Sequence, residues 1–151
     1  MKLVEALIER AEIKKKNARL QSRMKANLLV QEGDEPSESY DDLVAEYEKN
    51  MDRLRELTQR VNETNNRTSF DDSMSVSGAI VLRDCLGAKV RAYRDIYEEA
   101  TIKLNRYGKN EVRFMRCIDI KELQKTIDSI SKDYREIDTK IQSINWTIEL
   151  I

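Results

Sequence analysis

The 151-residue chain contains no histidine, and this limits what its other reactive side chains can do. A Ser-His-Asp triad, a Cys-His pair, a zinc-histidine site and an imidazole switch near neutral pH are all excluded. Arginine, carboxylate, amide and thiol chemistry remain. The first candidates are polar residues at helical seam spacing: Arg10, Asn17, Asn27, Asn50 and Lys89. A buried polar group without a partner costs about 1–3 kcal/mol. Such residues either line a polar pocket in the core or fix register and oligomeric state. The second candidate is Arg83-Asp84, in which a guanidinium suited to carboxylate or phosphate sits beside an acid. A buried ion pair is the simpler reading of it.

A third set is basic. Arg106, Lys109, Arg113 and Arg116 alternate loosely with Tyr107 and Phe114. Basic and aromatic residues together suit a nucleic-acid strand, but Glu111 and Asp119 interrupt this one. A contact strand between copies with solvated charges is favoured, and no nucleic-acid partner is expected. The fourth set is acidic: Glu5, Glu9 and Glu12 on one helix face, and Asp71-Asp72 in a loop. Helical di-metal sites use Glu-x-x-His pairs, which need histidine. The stripe therefore reads as a solvated face, with neither metal nor cofactor. The four glycines lie too far apart for a phosphate-binding loop. Cys85 reads as a small packing residue. Cys117 beside Arg116 has only one basic neighbour to lower its pKa.

These residues must be positioned by helices. With one proline and four glycines the chain cannot supply the turns of a sandwich or barrel. Ile120, Leu123, Ile127, Ile130, Tyr134, Ile137, Ile141, Ile144, Ile148 and Ile151 alternate at three and four residues. That is a seam of coiled-coil type, on a helix over about 119–147 capped by Asp119 and Glu122, with Ile118 and Leu123 as the apolar staple. Leu43, Tyr47, Asn50, Leu54, Leu57, Val61 and Thr64 predict a helix over about 40–65, capped at Ser39. Ala79, Leu82, Leu86, Lys89, Tyr93, Ile96 and Ala100 predict another over about 76–104, capped at Ser75. The first helix covers about 3–30 on Ala6, Arg10, Ile13, Asn17, Leu20, Met24 and Asn27, and stops near Gly33 and Pro36. Val112, Phe114, Arg116 and Ile118 alternate with Arg113, Met115 and Cys117, which suggests a short extended arm over about 110–118.

A helix of about 28 residues is roughly 42 Å long, close to the width of a compact globule of this mass. The expected fold is all-α: an elongated antiparallel bundle of four main helices in one domain, residues 1–151. The last helix is apolar to its end, whereas the first offers a broken seam, so a homo-oligomer is expected. The 27 basic and 28 acidic residues leave a net charge of −1. This argues against general binding of nucleic acid or anionic membranes. Ser73–Leu82 is the longest stretch without charge, too short for a transmembrane segment. Glu5 interrupts any N-terminal apolar run, and the two cysteines form no disulfide framework. A cytoplasmic location follows as the expectation.

The opening Met1-Lys2-Leu3-x-Glu5-Ala6-Leu7, the turn Gln31-Glu32-Gly33-Asp34-Glu35-Pro36, Arg83-Asp84 and the closing Asn145-Trp146-Thr147 resemble a family of small bacterial proteins that often carry the septicolysin name, or are described simply as a domain of unknown function. The resemblance implies an all-helical bacterial protein, and its label implies a membrane-active cytolysin. It transfers no catalytic residues. The positions that match are Asn27, Gln31, Glu32, Asn65, Arg83, Asn145 and Trp146. Three functions are therefore weighed: a self-assembling structural or interaction module, a septicolysin-like cytolysin, and a small-anion-binding protein or enzyme. The last would use Arg10, Arg83, Asp84 and Arg116.

Overall fold

The computed structural model describes residues 1–102 and 115–151. The fold is an all-α helical bundle: α1 Leu3–Ala26, α2 Tyr40–Arg67, α3 Val76–Ile102 and α4 Ile120–Thr147. The described residues contain isolated β-bridges but no strand. Most of the expected arm lies outside them, and Met115–Ile118 are exposed and outside any helix or strand. The chain forms two compact units. One comprises Met1–Thr68 with Ile144–Ile151, the other Ser69–Ser143.

In the first unit α1 and α2 run antiparallel. Their partners ascend on α1 as they descend along α2 and the turn before it: Glu9 with Arg53, Lys16 with Glu46, Arg23 with Glu38. The seam register predicted for both helices holds. Ala6, Asn17, Leu20 and Asn27 are buried from one side and Leu43, Leu57, Val61 and Thr64 from the other. Leu3, Ala6, Leu57, Val61 and Leu150 form the core, with Leu7 and Ile13 packed on it. The last residues of the chain close this core. Leu3 N–H donates to Ile148 O at 2.9 Å, and Leu150 N–H to Met1 O at 2.9 Å. The N-terminal ammonium and Lys2 Nζ both hold Glu149, at 3.1 and 2.7 Å.

The first helix ends at Ala26, four residues earlier than its apolar pattern suggests. Asn27 is the reason. Its Nδ2 donates to Arg23 O at 2.9 Å, satisfying an end-of-helix carbonyl. Its Oδ1 accepts from Ser37 Oγ and Glu38 N–H, each at 3.0 Å, and so ties the returning chain to the helix end. Gly33 does take a left-handed conformation, at φ 92°. It does so inside the turn closed by Asp34 N–H on Gln31 O, rather than as the helix cap. Leu28, Leu29 and Val30 are left exposed.

In the second unit α3 and α4 run antiparallel, with Arg83 against Asp138 and Gly87 against Tyr134. Ser75 Oγ caps α3 through Gly78 N–H at 3.3 Å. Asp119 Oδ1 caps α4 through the N–H groups of Lys121 and Glu122 at 2.8 and 3.2 Å. Glu122 turns to Lys125 Nζ at 2.7 Å, and Ile118 stays exposed. Before α3, Asp71 accepts from Ser73 and Met74. The Ser73 hydroxyl and backbone hold its carboxyl below the ordinary range. The α4 seam is buried or half-buried from Ile120 to Ile148.

The seam read for α3 is half right. Ala79, Leu86, Tyr93 and Ala100 do turn inward, but Leu82, Lys89 and Ile96 are exposed. Arg83, Val90 and Tyr97 take the places between. α3 is the least polar of the four helices, so two alternating three-and-four series fit it and share every second member. Gly87 selects between them. A Cβ there would lie 3.1 Å from Tyr134 Cε2, so its absence lets the ring approach that side of the helix.

Candidate functional site

The residues singled out by sequence do not converge. Arg83 and Asp84 are brought together with a third residue, Asp138 of α4. Arg83 Nε and Nη2 lie 2.9 and 2.7 Å from Asp84 Oδ1, and Nη1 lies 3.1 Å from Asp138 Oδ1. Burial opposes the charge on Arg83, but the hydrogen bonds it donates to both aspartates outweigh it and raise the pKa. The guanidinium fork is already occupied, and the trio clamps α3 to α4.

Asn27, with Gln31 and Glu32 in the exposed turn beyond it, lies at one end of α1. Asn65, Asn145 and Trp146 stand near the other end of that unit, where the tail of α4 meets the start of α1. α1 has 24 residues, about 36 Å of helix, so these do not make one pocket. Asn145 is buried, Trp146 is exposed, and Asn65 Oδ1 is buried without a hydrogen-bond partner. Arg10 is half-buried in the same unit. Arg116 belongs to the second unit, exposed, with Nε 3.4 Å from Ala100 O. Cys85 and Cys117 are free and exposed, so Cys85 is not the packing residue expected. Arg106, Lys109, Arg113 and Phe114 lie outside the described residues.

The polar seam residues divide. Asn17 is buried and its Oδ1 accepts from Asn50 Nδ2 at 2.9 Å, while its own Nδ2 reaches Met51 Sδ at 3.3 Å. This matches the register reading, since a slipped α1–α2 pairing would strand both amides. Lys89 leaves the set, exposed on α3. The acidic stripe of α1 is not merely solvated. Glu9 Oε1 and Oε2 accept from Arg53 Nε and Nη2 at 2.7 and 3.0 Å. Those hydrogen bonds lower the Glu9 pKa and raise that of Arg53. A groove of about 520 Å³ opens here between Lys15, Lys16, Arg19 and Lys49. Its cations are partly neutralised: Lys15 by Glu12, Lys16 by Glu46, Arg53 by Glu9 and Glu56.

Two features of the second unit escaped the sequence reading. Val81, Leu82, Cys85, Ala88, Ala92 and Ile96 form an exposed stripe along α3, with Val81 at 62% and Ile96 at 47% exposure. The signal was present as a second helical spacing on the same segment. Arg91, Arg94 and Arg135 gather at one cleft between α3 and α4. Nothing in their spacing announces it, because the pairing of two distant helices brings them together. Among the described residues no helix is long and apolar enough to cross a membrane. None of their His, Cys, Asp or Glu side chains form a group able to hold a metal ion.

Residues 10–150 match the model of a family of unknown function, DUF6847. The chain belongs to this family. A crystal structure of a functionally unknown conserved protein from Corynebacterium diphtheriae is similar at 34% identity and a TM-score of 0.95, covering 100% of this chain and 99% of that one. No curated protein matches. These findings overturn the septicolysin resemblance. Neither the DUF6847 family nor the diphtheria-bacterium structure points to that name, and the cytolysin reading that rested on it falls with it.

Proposed function

We propose that this DUF6847 protein is a self-assembling helical interaction module that works in the cytoplasm. The carrying observation is the outward stripe of α3. Large residues, Val81 and Ile96, stand at its ends, and small ones, Cys85, Ala88 and Ala92, lie between. Two copies laid antiparallel about the point between Ala88 and Lys89 would set Val81 against Ile96, Cys85 against Ala92 and Ala88 against Lys89. The same patch then serves both sides, as a two-fold interface requires, and small central residues let the backbones approach. Val81, Leu82 and Ile96 stand 62%, 40% and 47% exposed, and exposed apolar residues grouped on one helix face favour association. The uncovered surface expected on the last helix is assigned on this reading to α3 instead. Two exposed free thiols suit a reducing compartment.

The test is molar mass by light scattering across a concentration series. The expected result is a mass near twice 17.7 kDa that falls on dilution. A mass of 17.7 kDa at every concentration would remove the proposal.

A further inference from the structure

We propose that the cleft between α3 and α4 binds a small tetrahedral oxyanion: free phosphate, or the phosphate group of a small organic phosphate. The cleft holds about 250 Å³ and is lined by Gly87, Arg91 and Arg94 of α3 with Ser131, Tyr134 and Arg135 of α4. Its volume lies below the range of about 300–1,000 Å³ typical of sites for drug-sized ligands. No carboxylate lines it. Among the described residues, Arg23, Arg53, Arg55, Arg60, Arg67 and Arg83 each have an acidic partner. Arg91, Arg94 and Arg135 have none among those residues; nor do Arg10, Arg19 and Arg116, but Arg91, Arg94 and Arg135 line one cleft together. Three like charges converging on one small space repel each other, and an anion among them removes that repulsion.

The second observation is Ser131. It is 9% exposed, and its Oγ is buried with no hydrogen-bond partner. A hydroxyl inside a helix ordinarily returns its proton to a carbonyl one turn back. Thr58, Thr64 and Thr126 do so here, at 2.7, 2.8 and 2.9 Å. Ser131 does not, and an unmet buried hydroxyl is unfavourable unless something else accepts from it. An anion held by the arginines supplies that acceptor. Arg91 and Arg94 stand one turn apart on α3, and Arg135 is one turn beyond Ser131 on α4. Donors arriving from two helices favour an anion whose oxygens do not share a plane, each guanidinium fork taking an edge of it. Gly87 shapes the wall, since a Cβ there would sit 3.1 Å from Tyr134 Cε2 and 3.5 Å from Arg91 Nη1.

Calorimetric titration of the full chain tests this with sodium phosphate, phenyl phosphate and sodium acetate, each at about 0.15 M chloride to screen loose surface binding. The expected result is saturable phosphate binding with a dissociation constant of about 1 mM or tighter, and acetate at least tenfold weaker. Arg94→Gln and Arg135→Gln should each weaken phosphate about tenfold or more, and Ser131→Ala about threefold or more. Arg19→Gln, in the basic groove of the first unit, should change nothing. Tighter binding of inorganic phosphate than of phenyl phosphate identifies the free ion as the ligand, and the reverse order an organic phosphate. If circular dichroism shows that an arginine-to-glutamine variant has lost helix, Ser131→Ala and Arg94→Lys decide, the latter keeping charge without the fork. The proposal is overturned if neither phosphate probe binds saturably, if acetate binds as well, or if Arg19→Gln weakens binding as much as the cleft variants.

Discussion

The two antiparallel helix pairs dispose of their polar and apolar groups in opposite ways. In the α1–α2 pair, Asn17 meets Asn50, Asn27 ties down the returning turn, Glu9 chelates Arg53, and the chain's last residues seal the core. In the α3–α4 pair one clamp is complete, at Arg83 with Asp84 and Asp138. Around it three arginines lack counter-charges, a buried hydroxyl lacks an acceptor, and an apolar stripe lacks a cover. The first pair also leaves Asn65 Oδ1 unpaired and Leu28, Leu29 and Val30 exposed, but its seam amides and the Glu9–Arg53 charges are matched, and it reads as scaffold. A pair that leaves matched groups unfinished reads as the part that meets other molecules.

The largest expected effect tests the scaffold side. Leu57 is fully buried in the first core, and Leu57→Ala should cost about 3 kcal/mol in denaturant unfolding while leaving phosphate affinity unchanged in the folded fraction. A matching loss of affinity would break the distinction between the pairs. Arg83→Ala comes next, at about 2 kcal/mol, because it leaves Asp138 without its cation and removes a half-buried stem. Amide hydrogen exchange should rise along α3 and α4 rather than along α1.

Asn17→Ala strands the Asn50 amide and should cost about 1 kcal/mol by thermal unfolding. A value near zero would return Asn17 to the list of groups waiting for a ligand. The Glu9–Arg53 pair should contribute less, under about 1 kcal/mol for so accessible a pair. The folded-state pKa of Glu9 is lowered, so this contribution is full above the ordinary carboxyl value of 4.5. It is lost as pH falls through the depressed value. As pH falls below that value, Glu9→Gln should therefore lose less stability than the parent. The smallest effect is Gly87→Ala. The helical gain of about 1 kcal/mol opposes the displacement of Tyr134, so stability should barely move while phosphate binding weakens.

Much of the scaffold was legible in the sequence because a single apolar series runs along each of α1, α2 and α4, and burial of that series decides the face. α3 was misread because it carries two such series, and spacing alone cannot choose between them. Gly87 makes the choice only once Tyr134 of α4 is known to face it. The end of α1 was overrun because Leu28, Leu29 and Val30 continue the apolar pattern, whereas the stop depends on the Asn27 side chain bonding to residues ten and eleven positions later. Arg83 with Asp84 was visible as neighbours in the chain. Arg91, Arg94 and Arg135 were not, since no local pattern links residues some forty positions apart.

If copies associate through α3, a charge set in the middle of its outward stripe should separate them, and one pair of variants checks this. Ala92→Glu places a charge in the middle of the stripe. Ala18→Glu places the same charge on an exposed position of α1. In sedimentation equilibrium the parent and Ala18→Glu should both approach twice 17.7 kDa, while Ala92→Glu should sediment at 17.7 kDa with its helix content intact. Association that survives Ala92→Glu, or a parent that never exceeds a single chain's mass, would contradict the account.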